Sequence, residues 1–402
     1  MSPREMKSFR TVENAFRLSC LNWGYDEVRT PTIEYLYLFT AAGTLTPGKL
    51  SKVYSFLDWD GWSGERVVLR PDGTIPIARY FIETLKGKGP ARLFYVNNVF
   101  SFEETGQETR EKWQCGAELI GAGSATNDVE LVILAIEILK KLGIKDIELR
   151  LSHAGLIRAI LSKFEIDPEE QHRLIDRVMD GDTHALIEAR PELAKVVSPM
   201  LEVRGKSSNF LKNIAVMLGR DFSEFQEPLQ DFITLTSNLD TLGITYEIDI
   251  TSGRGFEYYT GLIFQLWSGN DLVAGGGRYD ALIPLLGGSD SPASGFALYV
   301  DKLMTLIETQ STGETTPARI IVKPQPGSDS LKAAFSAMDA LHNAGFTTEL
   351  YSTERPVEQY GTKWLLETNE AGWRFSLRDL VTGSNYDAAT ADEIVAHLST
   401  HK

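Results

Sequence analysis

From about His153 to Leu242 the sequence is helical throughout, whereas strand patterns come before and after this stretch. Before it, RVVLR (66–70) and the apolar halves of VFSFEETGQETREKWQCGAELIG (99–121) read as strands. After it, strands resume at ITYEIDIT, GLIFQLWSG and DLVAGGGRYD. The order predicts an α+β fold, an antiparallel sheet with flanking helices and a helical insertion at about residues 153–242.

TQSTGETTP, residues 309–317, has the composition of a linker. Residues 318–402 then alternate strand and helix patterns. We therefore expect a core over residues 1–308 and a small C-terminal α/β domain over residues 318–402.

Composition narrows the functional classes. No apolar run approaches the roughly 20 residues of a membrane helix, and the N-terminus lacks the apolar segment of a signal peptide. Cys20 and Cys115 lack metal-ligand spacing, as do the six histidines, so we expect a cytoplasmic protein without a metal site. The net charge of −15 counts against nucleic-acid binding.

The hairpin at residues 99–121 carries an unusual loop. Arginine suits phosphate binding because its planar fork meets two oxygens at once. This loop instead carries Ser101, Glu103, Glu104 and Glu108, with Arg110 at its far end. The acidic loop is a poor site for a phosphate.

Several segments together resemble one family. TPTIE (30–34) resembles motif 1 of the class II aminoacyl-tRNA synthetases. Five further segments resemble motifs of the histidyl-tRNA synthetases and occur in the same order as in that family. They are LRPDGT (69–74), REKWQCGAELIG (110–121), RGFEYYTG (254–261), GGGRYD (275–280) and ASGFALYVDKL (293–303). The resemblance implies a class II synthetase-like core.

The resemblance also implies a histidine-like ligand pocket. Its residues here are Asp72, Thr74, Gln114, Glu118, Arg254, Tyr258, Tyr259 and Tyr279. Asp72 replaces a glutamate of the family, and Gln114 and Glu118 match the pair that meets the substrate amine and imidazole. The chemistry suits histidine, because carboxylates attract an ammonium and a tyrosine beside a carboxylate can pair with both imidazole nitrogens.

Structural roles for these residues remain open at this point. Asp72 fits a simple turn, Tyr258 and Tyr259 fit core-packing strand aromatics, and Arg254 fits an ion pair. Glu118 lies on an apolar strand and needs a partner, because an unpaired buried charge is costly.

The ATP site of the family is altered. Ser101 stands where motif 2 has the arginine that holds the α-phosphate, Glu108 lies in a loop that carries another arginine in the family, and Lys302 replaces the motif 3 arginine. Each lost charge-assisted contact is worth ~1.5–3 kcal/mol. We therefore predict a degenerate ATP site, no adenylation and no cofactor.

A histidine-like pocket without adenylation resembles the regulatory subunits of ATP phosphoribosyltransferase, which are paralogues of histidyl-tRNA synthetase. That resemblance implies a non-catalytic protein that partners the short-form catalytic subunit at the first step of histidine biosynthesis. It implies a homodimeric core within a hetero-octamer, and feedback control by L-histidine.

Two other interpretations remain. A divergent synthetase or amino-acid ligase could hold ATP differently, through Lys302 and Arg110. An RNA-binding or stress-sensing module is the other, although the C-terminal segment, which resembles a shortened anticodon-binding domain, has few basic residues.

Overall fold

The computed structural model describes residues 1–42, 50, 52–59, 64–102, 109–162, 188, 204–218, 223–250, 259–310, 319–351, 356, 362–368 and 375–400. The chain divides into two compact units, Met1–Gln310 and Ser311–Lys402. Much of the expected insertion, residues 163–187 and 189–203, and most of the expected linker lie outside the described residues.

The described elements of the first unit run from α1 to α9. The first half comprises α1 (Pro3–Asn22), β1 (Asp26–Glu27), β2 (Ile33–Tyr35), α2 (Leu36–Ala41), β3 (Ser55–Trp59), β4 (Gly64–Leu69), α3 (Thr74–Glu83), β5 (Ala91–Phe100), β6 (Glu111–Ile120), α4 (Ala125–Lys141) and β7 (Ile147–His153). The second half comprises α5 (Ala154–Ser162), α6 (Ser208–Leu218), α7 (Ser223–Thr241), β8 (Glu247–Ile248), β9 (Leu262–Ser268), β10 (Asp271–Arg278), α8 (Leu282–Leu285), β11 (Ala293–Tyr299) and α9 (Val300–Gln310).

Eight strands of this unit form one sheet in the order β1-β5-β6-β11-β10-β9-β7-β8. All pairs are antiparallel except β1 with β5 and β7 with β8, at the two edges. The expected α+β fold, an antiparallel sheet with flanking helices, is confirmed.

Helix α1 shows how the sequence specifies its elements. The Ser2 side chain accepts from the N–H of Glu5, whose carboxylate accepts from the N–H of Ser2, so the first turn has a reciprocal cap. Phe9 and Phe16 recur at helical spacing and are buried. The ring of Phe16 lies edge-on to Phe94 of β5, with 5.7 Å between ring centroids. Helix α1 is therefore fixed to the sheet by one apolar stripe.

A second, three-stranded sheet has the order β2-β4-β3. Its outer strand β3 is exposed along its whole length. Phe56 is 43% exposed, and Leu57 and Trp59 are 54% and 62% exposed. Because successive side chains point to opposite faces, β3 presents apolar groups on both of them.

Two arginines, Arg70 and Arg79, join this small sheet to the rest of the unit. Arg70 donates to the carbonyl oxygens of Thr30, at 2.8 Å, and Asn98, at 2.7 Å. Arg79 of α3 meets both carboxylate oxygens of Glu34 on β2, at 3.0 and 2.7 Å. Helix α3 and strand β2 are thus held together by a bidentate pair.

The second unit has its own sheet and core. Its elements are β12 (Ile320–Pro324), α10 (Ser328–Asn343), β13 (Thr348–Leu350), β14 (Trp364–Thr368), β15 (Phe375–Asp379), β16 (Asn385–Ala388) and α11 (Ala391–Thr400). The sheet order is β13-β12-β14-β15-β16. Buried Ile320, Val322, Leu341, Leu366 and Leu377 lie in one apolar cluster between strands and helices.

Candidate ligand-binding site

Several of the predicted pocket residues that the structure describes lie close together on one face of the large sheet. Gln114, Gly116 and Glu118 alternate along β6, so their side-chain positions share a face. On neighbouring strands, Tyr95 pairs with Gly116, and Gly295 pairs with Glu118. The register therefore gathers residues from distant segments around Glu118.

Glu118 is the centre of the site. It is 1% exposed, its Oε1 accepts a hydrogen bond of 2.8 Å from the Thr74 hydroxyl, and its Oε2 accepts one from the Tyr279 hydroxyl. Burial raises the pKa of Glu118 to about 8, and Asp72 adds to the rise, while the bonds from Tyr279 and Thr74 oppose it. The site holds a carboxylate that is poorly stabilised when charged, which a cation would relieve.

Asp72 has two roles in this arrangement. Its Oδ1 accepts from the backbone N–H groups of Thr74, at 2.9 Å, and Ile75, at 3.0 Å, and so caps the first turn of α3. Burial raises the pKa of Asp72, and the backbone hydrogen bonds oppose the rise. The turn role is therefore present, and the same carboxylate also contributes negative charge beside Glu118.

Glycines make room for the polar side chains of the pocket. A Cβ atom on Gly295 would lie 1.6 Å from Oε2 of Glu118, and one on Gly277 would lie 2.9 Å from the ring of Tyr259. A Cβ on Gly116 would lie 2.2 Å from the ring of Tyr95. The side chains of Glu118, Tyr259 and Tyr95 thus rest directly on main chain.

Two buried polar atoms of the pocket, Gln114 Oε1 and the Tyr95 hydroxyl, have no hydrogen-bond partner in the part of the chain that the structure describes. Buried polar groups are nearly always paired. Gln114 belongs to the predicted set, whereas Tyr95 was not predicted. Its signal in the sequence is its place in β5 opposite Gly116, which is visible only once the strand register is known.

The structure describes some of the other predicted residues and not others. Tyr279 and Tyr259 are buried, at 1% and 8% exposure. Arg254, Tyr258 and Glu108 lie outside the described residues.

Two residues of the predicted degenerate ATP site are described. The Ser101 N–H donates to the carbonyl oxygen of Arg110, at 3.0 Å, beyond the end of β5. Lys302 Nζ lies 3.3 Å from Asp271 Oδ1, and both side chains are largely exposed. Lys302, which we predict to stand at the position of the motif 3 arginine, therefore has an acidic neighbour, and the altered ATP site stays a prediction.

The arginine of GGGRYD has a structural role. Arg278 donates to Asp128 Oδ2 through Nε, at 3.1 Å, and through Nη2, at 2.7 Å. Ser294 donates to Asp128 Oδ1, at 2.6 Å. The three buried side chains join α4 to strands β10 and β11 next to Tyr279.

Among the described residues, no group of three or more histidine, cysteine or acidic side chains is placed to hold a metal ion. Within the same part of the chain, no helix is both long and apolar enough to cross a membrane.

Proteins of two descriptions are similar to this chain. The sequence model of the histidyl-tRNA synthetase family matches residues 1–303. An ATP phosphoribosyltransferase regulatory subunit from Dehalococcoides mccartyi strain BAV1 is 47% identical over 400 residues, 99% of this chain and 96% of that protein. A histidine–tRNA ligase from Methanocaldococcus jannaschii is 31% identical over 407 residues, 95% of this chain and 93% of that protein.

Solved structures agree on the fold. A protein from Bacillus halodurans described as an ATP phosphoribosyltransferase regulatory subunit/histidyl-tRNA synthetase aligns with a TM-score of 0.76 at 23% identity, over 89% of this chain and 93% of its own. Histidyl-tRNA synthetase from Nostoc aligns with a TM-score of 0.79 at 19% identity, over 100% and 97%. The chain therefore belongs to the histidyl-tRNA synthetase family and, within it, to the ATP phosphoribosyltransferase regulatory subunits.

Proposed function

We propose that this chain is a non-catalytic regulatory subunit that a short-form ATP phosphoribosyltransferase catalytic subunit needs for activity, and that it relays feedback inhibition by L-histidine. The observation that carries the proposal is the buried carboxylate of Glu118 between the Thr74 and Tyr279 hydroxyls. The 47% identity to proteins named as such subunits supports it.

The ligand of the pocket is histidine in this proposal. Two acidic groups, Asp72 and Glu118, have pKa values raised by burial, so a cationic ligand is favoured. Gln114 Oε1 is a buried acceptor without a donor among the described residues. The amine of the ligand supplies that donor. The family resemblance adds Arg254 and Tyr258 to the proposed ligand-binding set.

The absence of catalysis is the second part of the proposal. Ser101, Glu108 and Lys302 replace the three ATP-binding arginines of the family motifs. Lys302 is further offset by Asp271, 3.3 Å away. Adenylation would require charge-assisted contacts to the triphosphate, which Ser101 and Glu108 do not offer.

The third part concerns assembly and location. The apolar strand β3, exposed on both faces, is suited to burial against a second copy of this chain, because exposed apolar strands at a sheet edge favour association. We place this homodimer within a hetero-octamer with the catalytic subunit. Cys20 and Cys115 are free and buried, which fits a cytoplasmic location.

The test is phosphoribosyl-ATP formation by a short-form catalytic subunit, titrated with this chain, with and without histidine. We expect strong activation at a fixed stoichiometry and its suppression by histidine. No activation and no co-elution of the two proteins would overturn the proposal. Histidine-dependent exchange of pyrophosphate into ATP by the purified chain would instead favour a divergent ligase. The 31% identity to a histidine–tRNA ligase is the reason to measure this exchange.

Histidine acts by population shift in this scheme, so it inhibits only if it binds one assembly state better than another. Tyr279→Phe removes a donor to Glu118 and should weaken inhibition while leaving activation intact. Unchanged inhibition would place the histidine effect elsewhere in the complex.

A further inference from the structure

We propose that Tyr95 is a ligand-contacting residue of the pocket, and that its hydroxyl donates a hydrogen bond to the bound amino acid. This inference rests on the proposed function, in which the pocket holds histidine. Tyr95 lies outside the sequence motifs by which the chain resembles the histidyl-tRNA synthetases.

The first observation is the unpaired state of the hydroxyl. Tyr95 is 0% exposed, and its hydroxyl has no hydrogen-bond partner among the described residues. Buried tyrosine hydroxyls usually find a partner, and one without a partner costs folding free energy. A ligand in the pocket would supply the missing partner.

The second observation is that two glycines leave room for the ring of Tyr95. A Cβ atom on Gly73 would lie 2.3 Å from the Tyr95 hydroxyl oxygen, and one on Gly116 would lie 2.2 Å from Cζ. Tyr95 can reach this position only because both residues lack a side chain. Gly73 directly precedes α3 and Gly116 lies on β6, so the ring fits between two rigid elements.

The third observation is the role of the neighbouring hydroxyls. Thr74 and Tyr279 each have a single hydroxyl proton and direct it at Glu118. Burial, with the charges of Glu118 and Asp72, raises the pKa of Tyr95 well above its usual range, and Thr74 opposes the rise without making a well-formed hydrogen bond. Tyr95 is therefore a protonated donor with no hydrogen-bond acceptor among the described residues.

The ligand chemistry follows from these donors and acceptors. Gln114 Oε1 needs a donor, and the Tyr95 hydroxyl needs an acceptor. An amino acid with an imidazole side chain provides both, an ammonium for Gln114 and a ring nitrogen or carboxylate oxygen for Tyr95. Tyr95 thus selects a ligand that combines a cation with a hydrogen-bond acceptor.

The experiment compares Tyr95→Phe with the wild-type chain by calorimetric titration with L-histidine and by thermal unfolding without ligand. We expect about tenfold weaker binding, typical of one lost hydrogen bond. The ligand-free unfolding midpoint should stay unchanged or rise, since an unpaired buried hydroxyl is removed. Tyr386→Phe, the same change in the second unit, should alter neither quantity.

Three outcomes separate the alternatives. Equal histidine affinity in Tyr95→Phe and wild type would overturn this inference alone. Weaker binding together with a lower ligand-free midpoint would also overturn it, because the hydroxyl would then act in packing. A wild-type chain that does not bind histidine would overturn the proposed function itself and this inference with it.

Discussion

Glu118 and Gly295 are cross-strand neighbours, and the carboxylate of Glu118 fills the space that a Cβ atom on residue 295 would need. The central carboxyl group of the pocket is thus positioned by the absence of a side chain on the next strand. In this position it accepts hydrogen bonds from the hydroxyls of Thr74 and Tyr279.

Gly295→Ala should therefore displace the Glu118 carboxylate. We expect histidine binding to fall at least tenfold and the free energy of unfolding to drop by about 1–3 kcal/mol, as is usual for overpacking. Calorimetric titration and urea unfolding measure the two effects. The matched control is Gly275→Ala on the neighbouring strand, whose Cβ would lie 3.3 Å from the end of the Tyr299 side chain and 3.9 Å from a carbonyl oxygen. Equal losses in both variants would contradict the prediction.

The raised pKa of Glu118 should make stability depend on pH. Between the ordinary value of 4.5 and about 8, the folded state keeps a proton that the unfolded state releases. The contribution of Glu118 to stability is therefore full below about 4.5 and is lost as pH rises through about 8. Glu118→Gln removes this titration, so its free energy of unfolding relative to wild type should increase from pH 5 to pH 8 and level off above. Urea unfolding without ligand at each pH gives the difference, and a constant difference would show that Glu118 titrates normally.

The buried pair of Arg278 and Asp128 should be costly to break. Arg278→Met leaves the Asp128 carboxylate buried without its cation, and we expect a loss of about 3–5 kcal/mol in the free energy of unfolding. The control is Arg319→Met, which breaks a half-exposed pair with Glu349 in the second unit and should cost less than about 1 kcal/mol. Denaturant unfolding monitored by circular dichroism measures both. A loss below about 1 kcal/mol in Arg278→Met would rule out a stabilising role for this pair.

Strand β3 should mediate self-association. Trp59→Asp places a charge on an exposed apolar strand and should convert a dimer to a monomer in sedimentation velocity experiments. Val381→Asp, a similar change at a residue 77% exposed in the second unit, should leave the mass unchanged. A dimer that survives Trp59→Asp would direct attention away from this strand.

The sequence predicted the fold class from the order of its strand and helix patterns. The resemblance named Gln114 and Glu118 as a pair on the second hairpin strand, and the partner that Glu118 needed is present twice, in Thr74 and Tyr279. Asp72 was open between a turn and a ligand residue, and the structure gives it the turn role while adding its charge to the pocket.

Tyr95 could not be predicted in the same way. Its contact with Gly116 depends on the pairing of β5 with β6, and its contact with Gly73 depends on where α3 begins. Three consecutive glycines at 275–277 are likewise unusual in a central strand, because glycine disfavours strands. Close approach by Tyr259 and Phe296 explains two of them, a tertiary effect that local pattern does not contain.

Helix α3 begins at the pocket, where Asp72 caps it, and carries Arg79, which grips Glu34 of strand β2. Less than two turns of helix separate these contacts. Thr74 of the pocket and strand β2 are thus joined through one short helix. In the proposed scheme we expect a ligand that displaces Thr74 to displace β2 as well, and through β4 the exposed strand β3, so that occupancy of the pocket changes the surface proposed for self-association.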